Sequence, residues 1–354
     1  MKKPFSLGQA SRRWWLLLAA LLVASVATYV RRASPPPAEP ARLSGKTMGT
    51  TWSVLLDGPR EATVLEATRR DVEAVLATVN SSMSTYDPSS ELSRFNAREL
   101  TTPLEVSAPL AQVLRDAQAV SVASGGAFDV TVGPLVEAWG FGARGRPKRV
   151  PSDDEVAALL ESVGAHRLSV DGGLVAKAHP KLQVDLSAIA KGYAVDQVSA
   201  ALLARGERNH LVDIGGELTA RGVNALGEPF RVGVEAPDPQ QRRVLHTIAL
   251  TDRSIASSGN YRNFYEVGGR RYAHTIDPST GRPVQHPLVA VSVLDQRCAI
   301  ADAWATALMA AGPERAWALV ERHRLDAMLL VERPDGGIEE RSTAGFEAAL
   351  LRGR

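Results

Sequence analysis

The sequence predicts an α+β fold, because hairpin signals and amphipathic helices alternate along it without the regular strand–helix–strand repetition of a doubly wound parallel sheet. Gly172-Gly173 and Gly268-Gly269 each separate two β-prone runs, the pattern of a tight hairpin. Apolar residues recur with helical spacing over Glu61 to Val79 and again over Ala108 to Ser124. Mixed sheets packed by helices around one large core are therefore expected, and no internal repeat is visible. A composition of 45% apolar and 23% charged residues is globular. With 41 basic against 39 acidic residues the net charge is only +2, too balanced to indicate a nucleic-acid partner. Cys298 is the single cysteine, so an internal disulfide and a multi-cysteine metal site are excluded; its small, apolar neighbours suggest a buried thiol.

Residues 1–33 read as a signal or membrane anchor. Trp14 to Val30 is uncharged and mostly apolar, follows Lys2, Lys3, Arg12 and Arg13, and as a helix would span roughly 25 Å, near the lower limit for crossing a bilayer. The upstream basic residues place the N-terminus in the cytoplasm and the rest outside it, at the inner (plasma) membrane. Ser11-Arg12-Arg13-Trp14-Trp15-Leu16 resembles a twin-arginine export signal, and Ser25-Val26-Ala27 offers small residues for cleavage, but Arg31-Arg32 favour a retained anchor. Residues 34–43 are a Pro-rich tether, and a folded domain is expected over 44–350.

After the first helix, Asn80 to Pro88 reads as a polar loop carrying Tyr86. Gly125-Gly126 ends the second helix, and Ala127 to Val132 has a strand pattern closed by Gly133-Pro134. A surface helix and a hairpin follow between Pro147 and Pro180. Ser187 to Arg205 is read as a helix started by Asp185 or Ser187 and ended by Gly206. Lys191 near its start is mildly opposed by the helix dipole; an anion bound there would account for it, and so would a solvated lysine. His210 to Ile214 is a buried strand ending in Gly215-Gly216, and Ser257 to Tyr261 leads toward the second hairpin. That hairpin runs into Asp277-Pro278-Ser279-Thr280-Gly281, whose Pro and Gly reverse the backbone just after His274 and Thr275. His274 is the candidate proton acceptor, having an unperturbed pKa near neutrality; the alternative is a structural hydrogen-bonder in the turn. Ile300 to Ala311 is a small-residue helix with Asp302 and Thr306 on one face, either a surface hydrogen bond or two hard-oxygen ligands. Neither a P-loop nor a G-x-G-x-x-G fingerprint occurs.

Five of these segments, in this order, resemble the ApbE family, the FAD:protein FMN transferases. They are Met83 to Asp87, Gly125 to Pro134, Val184 to Asp196, Ala273 to Val284 and Ala301 to Ala307. The resemblance implies FAD contacts at Met48, Tyr86, Ala127, Phe128, Asp129, Asp185, Lys191 and Ile276. It implies Mg²⁺ held by the Ala188 carbonyl, Asp302 and Thr306. The implied activity is transfer of FMN from FAD to a threonine hydroxyl of an acceptor protein, with release of AMP; membrane respiratory complexes are the implied source of acceptors. Two alternatives remain: a FAD pyrophosphatase, whose relatives lack the stacking Tyr, and a non-catalytic flavin-binding protein, which needs no base.

Overall fold

An eight-stranded sheet runs through the middle of the fold, in the order Arg42–Thr47, Thr50–Leu56, His210–Ile214, Glu217–Arg221, Arg253–Gly259, Leu288–Asp295, Asp326–Glu332 and Ile338–Ser342. The computed structural model describes residues 39–146 and 149–351. Neighbouring strands pair antiparallel throughout the sheet, so the expected α+β class is found with antiparallel pairing. The apolar run Leu288–Asp295 shows why the sheet is central, since Val291 and Val293 enter one core while Ala290 and Leu294 enter another. Alternate side chains of a strand point to opposite faces, so a run that is buried throughout must be covered on both.

Helices Ala62–Met83, Ala108–Ala123, Ala190–Ala204 and Cys298–Ala311 contribute to the larger core. The other core contains Phe230, Val232, Ile248 and Phe346, brought by the paired strands Phe230–Glu235 and Val244–Leu250 and the short helix Ala344–Glu347. A third, smaller cluster gathers Trp139, Val156, Tyr265, Tyr272 and Ile276 beneath the second hairpin. Both glycine hairpins form, as Leu168–Asp171 with Leu174–Lys177 and as Phe264–Val267 with Arg270–Ala273. Ser107 caps its helix through the Leu110 N–H, and Ser152 with Glu155 makes a capping box on Asp153–Leu160.

Three local expectations fail. The first helix runs on to Met83, absorbing Asn80, Ser81 and Ser82, because Val79, Ser82 and Met83 are buried and tertiary packing overrides the polar composition. Ala127 to Val132 is not a strand; Asp129 Oδ1 accepts from both the N–H (2.7 Å) and the hydroxyl (2.6 Å) of Thr131, curling the segment locally, and only Val132 makes an isolated parallel bridge, to Gln183. Gly133 then opens a short helix, Gly133–Ala138, instead of closing a strand. The helix expected from Ser187 starts at Ala190 without a side-chain cap. Residues 186–189 are taken up by a separate turn, in which the Ile189 N–H donates to the Leu186 carbonyl and Asp185 accepts from the Ser187 N–H. Trp14 to Val30 lies outside the described residues, among which no helix is long and apolar enough to cross a membrane.

The approach of Ala190–Ala204 to Cys298–Ala311 depends on Gly192, where a Cβ would lie 2.4 Å from the Cys298 carbonyl oxygen. Alanine improves helix propensity by about 1 kcal/mol, but overpacking against backbone costs about 1–3 kcal/mol. Gly192→Ala is expected to lower the Tm in a thermal unfolding scan; an unchanged or higher Tm would show that these helices are not held at this distance.

Candidate functional site

A cavity of about 520 Å³ opens beside the edge of both helices, within the usual range for small-molecule sites. All twelve residues named as candidate catalytic, FAD or metal contacts lie on its wall. Met48, Tyr86, Ala127 and Phe128 form an apolar and aromatic part, with Ile276. Asp129, Asp185, Ala188 and Lys191 lie on the wall with Asp302, Thr306 and His274.

Met48 sits at the tip of the hairpin joining Arg42–Thr47 to Thr50–Leu56, with φ of 49°, beside Gly49 at 72°. Tyr86 follows the first helix, its backbone N–H held by the Ser84 hydroxyl, and its side chain is 67% exposed. The Asp129 carboxylate is engaged within the protein, by Thr131 and by the Ala165 N–H (2.8 Å), so it shapes the loop that presents Ala127 and Phe128.

Lys191 is held differently from either expectation. Its Nζ donates to Glu217 Oε1 at 2.6 Å and lies 3.9 Å from Asp302 Oδ1. Burial alone would lower its pKa, but Asp302 and Glu217 outweigh that and raise it, so the ammonium is charged. These carboxylates offset the dipole's opposition to a cation in the first turn, and the ammonium has N–H donors beyond the one given to Glu217. Glu217, missed in the sequence, is buried on the strand that follows Gly215-Gly216; a lone carboxylate after a glycine pair was its only signal. Burial raises its pKa against the opposing pull of Lys191, and its Oε2 is buried without a partner.

Asp302 is 4% exposed, and burial raises its pKa while Lys191 and the Gly192 N–H act the other way. That N–H donates to Asp302 Oδ2 at 3.1 Å. In an uninterrupted helix it would bond the Ala188 carbonyl, which accepts no hydrogen bond among the described residues. The Thr306 hydroxyl and Asp302 Oδ1 are likewise without hydrogen bonds among the described residues. A carbonyl, a hydroxyl and a carboxylate oxygen with spare lone pairs on one wall fit a hard divalent cation that keeps several waters. Among the described residues no group of three or more His, Cys, Asp or Glu side chains forms a metal cluster, so such an ion would depend on this mixed oxygen set.

His274 follows Arg270–Ala273, its N–H donating to the Asn263 carbonyl at 3.1 Å. The turn beyond it is built as the sequence suggests. Asp277 accepts from the Ser279 N–H and the Ser279 and Thr280 hydroxyls, Gly281 takes φ of 68°, and Trp139 Nε1 donates to the Gly281 carbonyl. The His274 ring has a buried Nδ1 without a partner, and Phe141 meets it edge-on at 6.3 Å. Its pKa is not ordinary: burial lowers it, the Asn263 backbone opposes, and Lys191 adds to the lowering. The ring is therefore neutral at neutral pH and can accept a proton. Cys298 is buried as expected, with a thiol pKa well above its ordinary value through burial.

The fold and the cleft together define an α+β protein with a ligand-sized cavity in which an aromatic wall meets an ion network and a neutral histidine. Residues 48–329 match the ApbE family, and the chain belongs to it. It is 40% identical to the FAD:protein FMN transferase of Vibrio cholerae, the match covering 89% of this chain and 94% of that protein. It is 42% identical to that of Haemophilus influenzae, with 86% and 90% covered. Its structure resembles the flavin transferase ApbE from Vibrio cholerae with a TM-score of 0.81 at 40% identity, covering 89% of this chain and 100% of that one. The apo form of the Pseudomonas stutzeri flavinyl transferase ApbE gives 0.80 at 38%, with 89% and 98% covered.

Because the folded protein disfavours the charged imidazole, His274 should titrate below the ordinary midpoint of about 6.5. Following its ring protons by NMR checks this, and a midpoint at or above 6.5 would contradict the desolvated setting.

Proposed function

We propose that the chain is an FAD:protein FMN transferase, which moves FMN from FAD to a threonine hydroxyl of an acceptor protein with Mg²⁺ and releases AMP. The observation that carries this reading is the convergence of all twelve sequence-selected residues on one cavity. Tyr86 and Met48 suit the flavin, since an exposed aromatic face stacked on another contributes about 0.5–1.5 kcal/mol beyond its buried area. Lys191 suits the pyrophosphate. The Ala188 carbonyl, Asp302 and Thr306 would hold Mg²⁺, which when bound neutralises charge on the phosphates. The neutral His274 ring takes the proton of the incoming hydroxyl. A P–O bond forms between that oxygen and the FMN phosphorus while the bridging P–O bond to AMP breaks. Hydrolysis to free FMN is the competing outcome, and Tyr86 favours transfer because a flavin pinned by stacking stays in place for the acceptor.

Incubation with FAD, Mg²⁺ and a threonine acceptor peptide is expected to give a peptide carrying one FMN by mass spectrometry. His274→Ala should slow transfer by about 10² to 10⁴, the usual contribution of a general base, with FAD still bound. Free FMN and AMP without labelled peptide would establish the pyrophosphatase, and intact bound FAD the storage protein.

Asp302→Asn keeps the side-chain shape while removing the charge. It should abolish transfer, as should EDTA, with Mg²⁺ restoring the chelated wild type. Undiminished labelling in excess EDTA would exclude the metal.

The proposal extends to location: Trp14 to Val30 anchors the protein in the inner membrane with the catalytic domain on the periplasmic side, where a membrane respiratory complex subunit would be the acceptor. A C-terminal reporter active only in the cytoplasm should be silent, and its activity would reverse this topology.

A further inference from the structure

The hairpin Phe264–Val267/Arg270–Ala273 is a two-stranded ribbon that does not join the eight-stranded sheet, so its edges are not used up by sheet pairing. Its base lies at the cavity, where Asn263 and His274 are both on the wall. Aromatic rings stiffen it: Tyr265 and Tyr272 stack at 5.4 Å, Trp139 stacks on Tyr272 at 5.5 Å, and the Tyr265 hydroxyl donates to the Trp139 carbonyl. Two guanidinium groups lie over this platform, and a third lies over Phe264 on the opposite face of the ribbon. Arg146 is 5.2 Å from the Tyr265 ring centre, Arg270 5.6 Å from Tyr272, and Arg271 3.7 Å from Phe264.

All three arginines are exposed, and their hydrogen bonds go to neutral acceptors. Arg146 reaches the Phe264 carbonyl, Arg270 the Gln285 side chain and Arg271 the Asn260 carbonyl. Among the described residues none forms an ion pair with a carboxylate, in contrast to Arg262 nearby, which is paired with Glu235. Glu266, opposite Arg271 in register, is the one carboxylate on the hairpin strands. Each guanidinium has five N–H donors, and stacking on a ring fixes its plane while leaving its edge open to a planar anion. Three cations against one carboxylate, held on a stiff ribbon whose base adjoins His274, complement a negatively charged polypeptide approaching the reactive end of the cavity.

We propose that this arginine-faced hairpin is where the acceptor protein docks, through an acidic segment next to the hydroxyl that receives FMN; the assignment rests on the transferase reading. It adds a partner surface outside the FAD cavity. Docking there places the acceptor strand beside His274, so the hairpin contributes to recognition of the acceptor and not to flavin binding.

Two fluorescein-labelled peptides test this with the full-length protein in detergent: one with a central Thr flanked by Asp residues, the other with Asn at those positions. At low salt the Asp peptide should bind about fivefold tighter or more, with the gap shrinking as salt is added. R146Q/R270Q/R271Q should close the gap while FAD binding is unchanged, and R94Q/R115Q/R333Q, which removes the same charge elsewhere, should keep it. Equal binding of the two peptides, a gap retained in the hairpin variant, or a gap lost in both variants overturns the proposal. So does absence of peptide discrimination with hairpin-dependent pelleting on phosphatidylglycerol vesicles, which assigns the patch to the membrane surface. FMN transfer is read separately, so discriminated binding without labelling leaves the acidic-segment surface standing and removes the transferase reading.

Discussion

Lys191, held by Glu217 at 2.6 Å and facing Asp302 at 3.9 Å, ties together the parts of the protein that make the cavity. Its three members come from helix Ala190–Ala204, strand Glu217–Arg221 and helix Cys298–Ala311. Burying such groups costs several kcal/mol per ion, and removing one partner leaves another charge uncompensated. The network therefore constrains all three elements at once. Two carboxylates against one ammonium leave an excess of negative charge when both are ionised, and burial responds by raising the pKa of each acid. The same groups that position Lys191 thus set the electrostatics of the cavity wall.

The interruption at the start of that helix is equally consequential. Had Ser187 capped a continuous helix, the Gly192 N–H would have bonded the Ala188 carbonyl; instead it bonds Asp302, and the carbonyl is left unpaired on the cavity wall. One displaced hydrogen bond both anchors a carboxylate and leaves a carbonyl oxygen free on the cavity wall. Glycine at 192 is what permits it, since the two backbones could not approach so closely with a side chain between them.

How much of this was legible follows from where each signal lies. The glycine hairpins, the helix from Ala108 and the turn after His274 depend on local chemistry, which a sequence displays directly. Asn80 to Ser82 and Ala127 to Val132 were misread because distant packing and a single Asp129 side chain outweighed local propensity. The family resemblance, together with the reading of His274, names twelve residues that the fold brings to one cavity, whereas their physical state is not legible in the sequence. The sequence shows His274 as an ordinary imidazole and does not show its burial, and it does not show that Lys191 is paired with Glu217, 26 residues further along the chain. Such pairings are formed by the fold, so no window of sequence contains them.

Met48 shows the same dependence in the backbone. A two-residue hairpin loop of this twist wants positive φ at both central positions, which glycine or asparagine supplies with little strain. Gly49 meets that demand, but Met48 is forced to φ of 49°, where a side chain costs about 1–2 kcal/mol. A turn selected for stability alone would carry Asn or Gly there. The Met48 side chain instead lies on the cavity wall, where a flexible, polarizable thioether can follow the edge of an aromatic ligand. Strain of this kind is retained when the surrounding structure fixes it and the site gains from it. Beyond the hairpin Phe264–Val267/Arg270–Ala273, His274 gives up basicity to burial just as Met48 gives up backbone ease, and both residues face the same cavity. The local rules are broken where the cavity needs a particular side chain, which is why these departures from propensity mark the site as clearly as any motif.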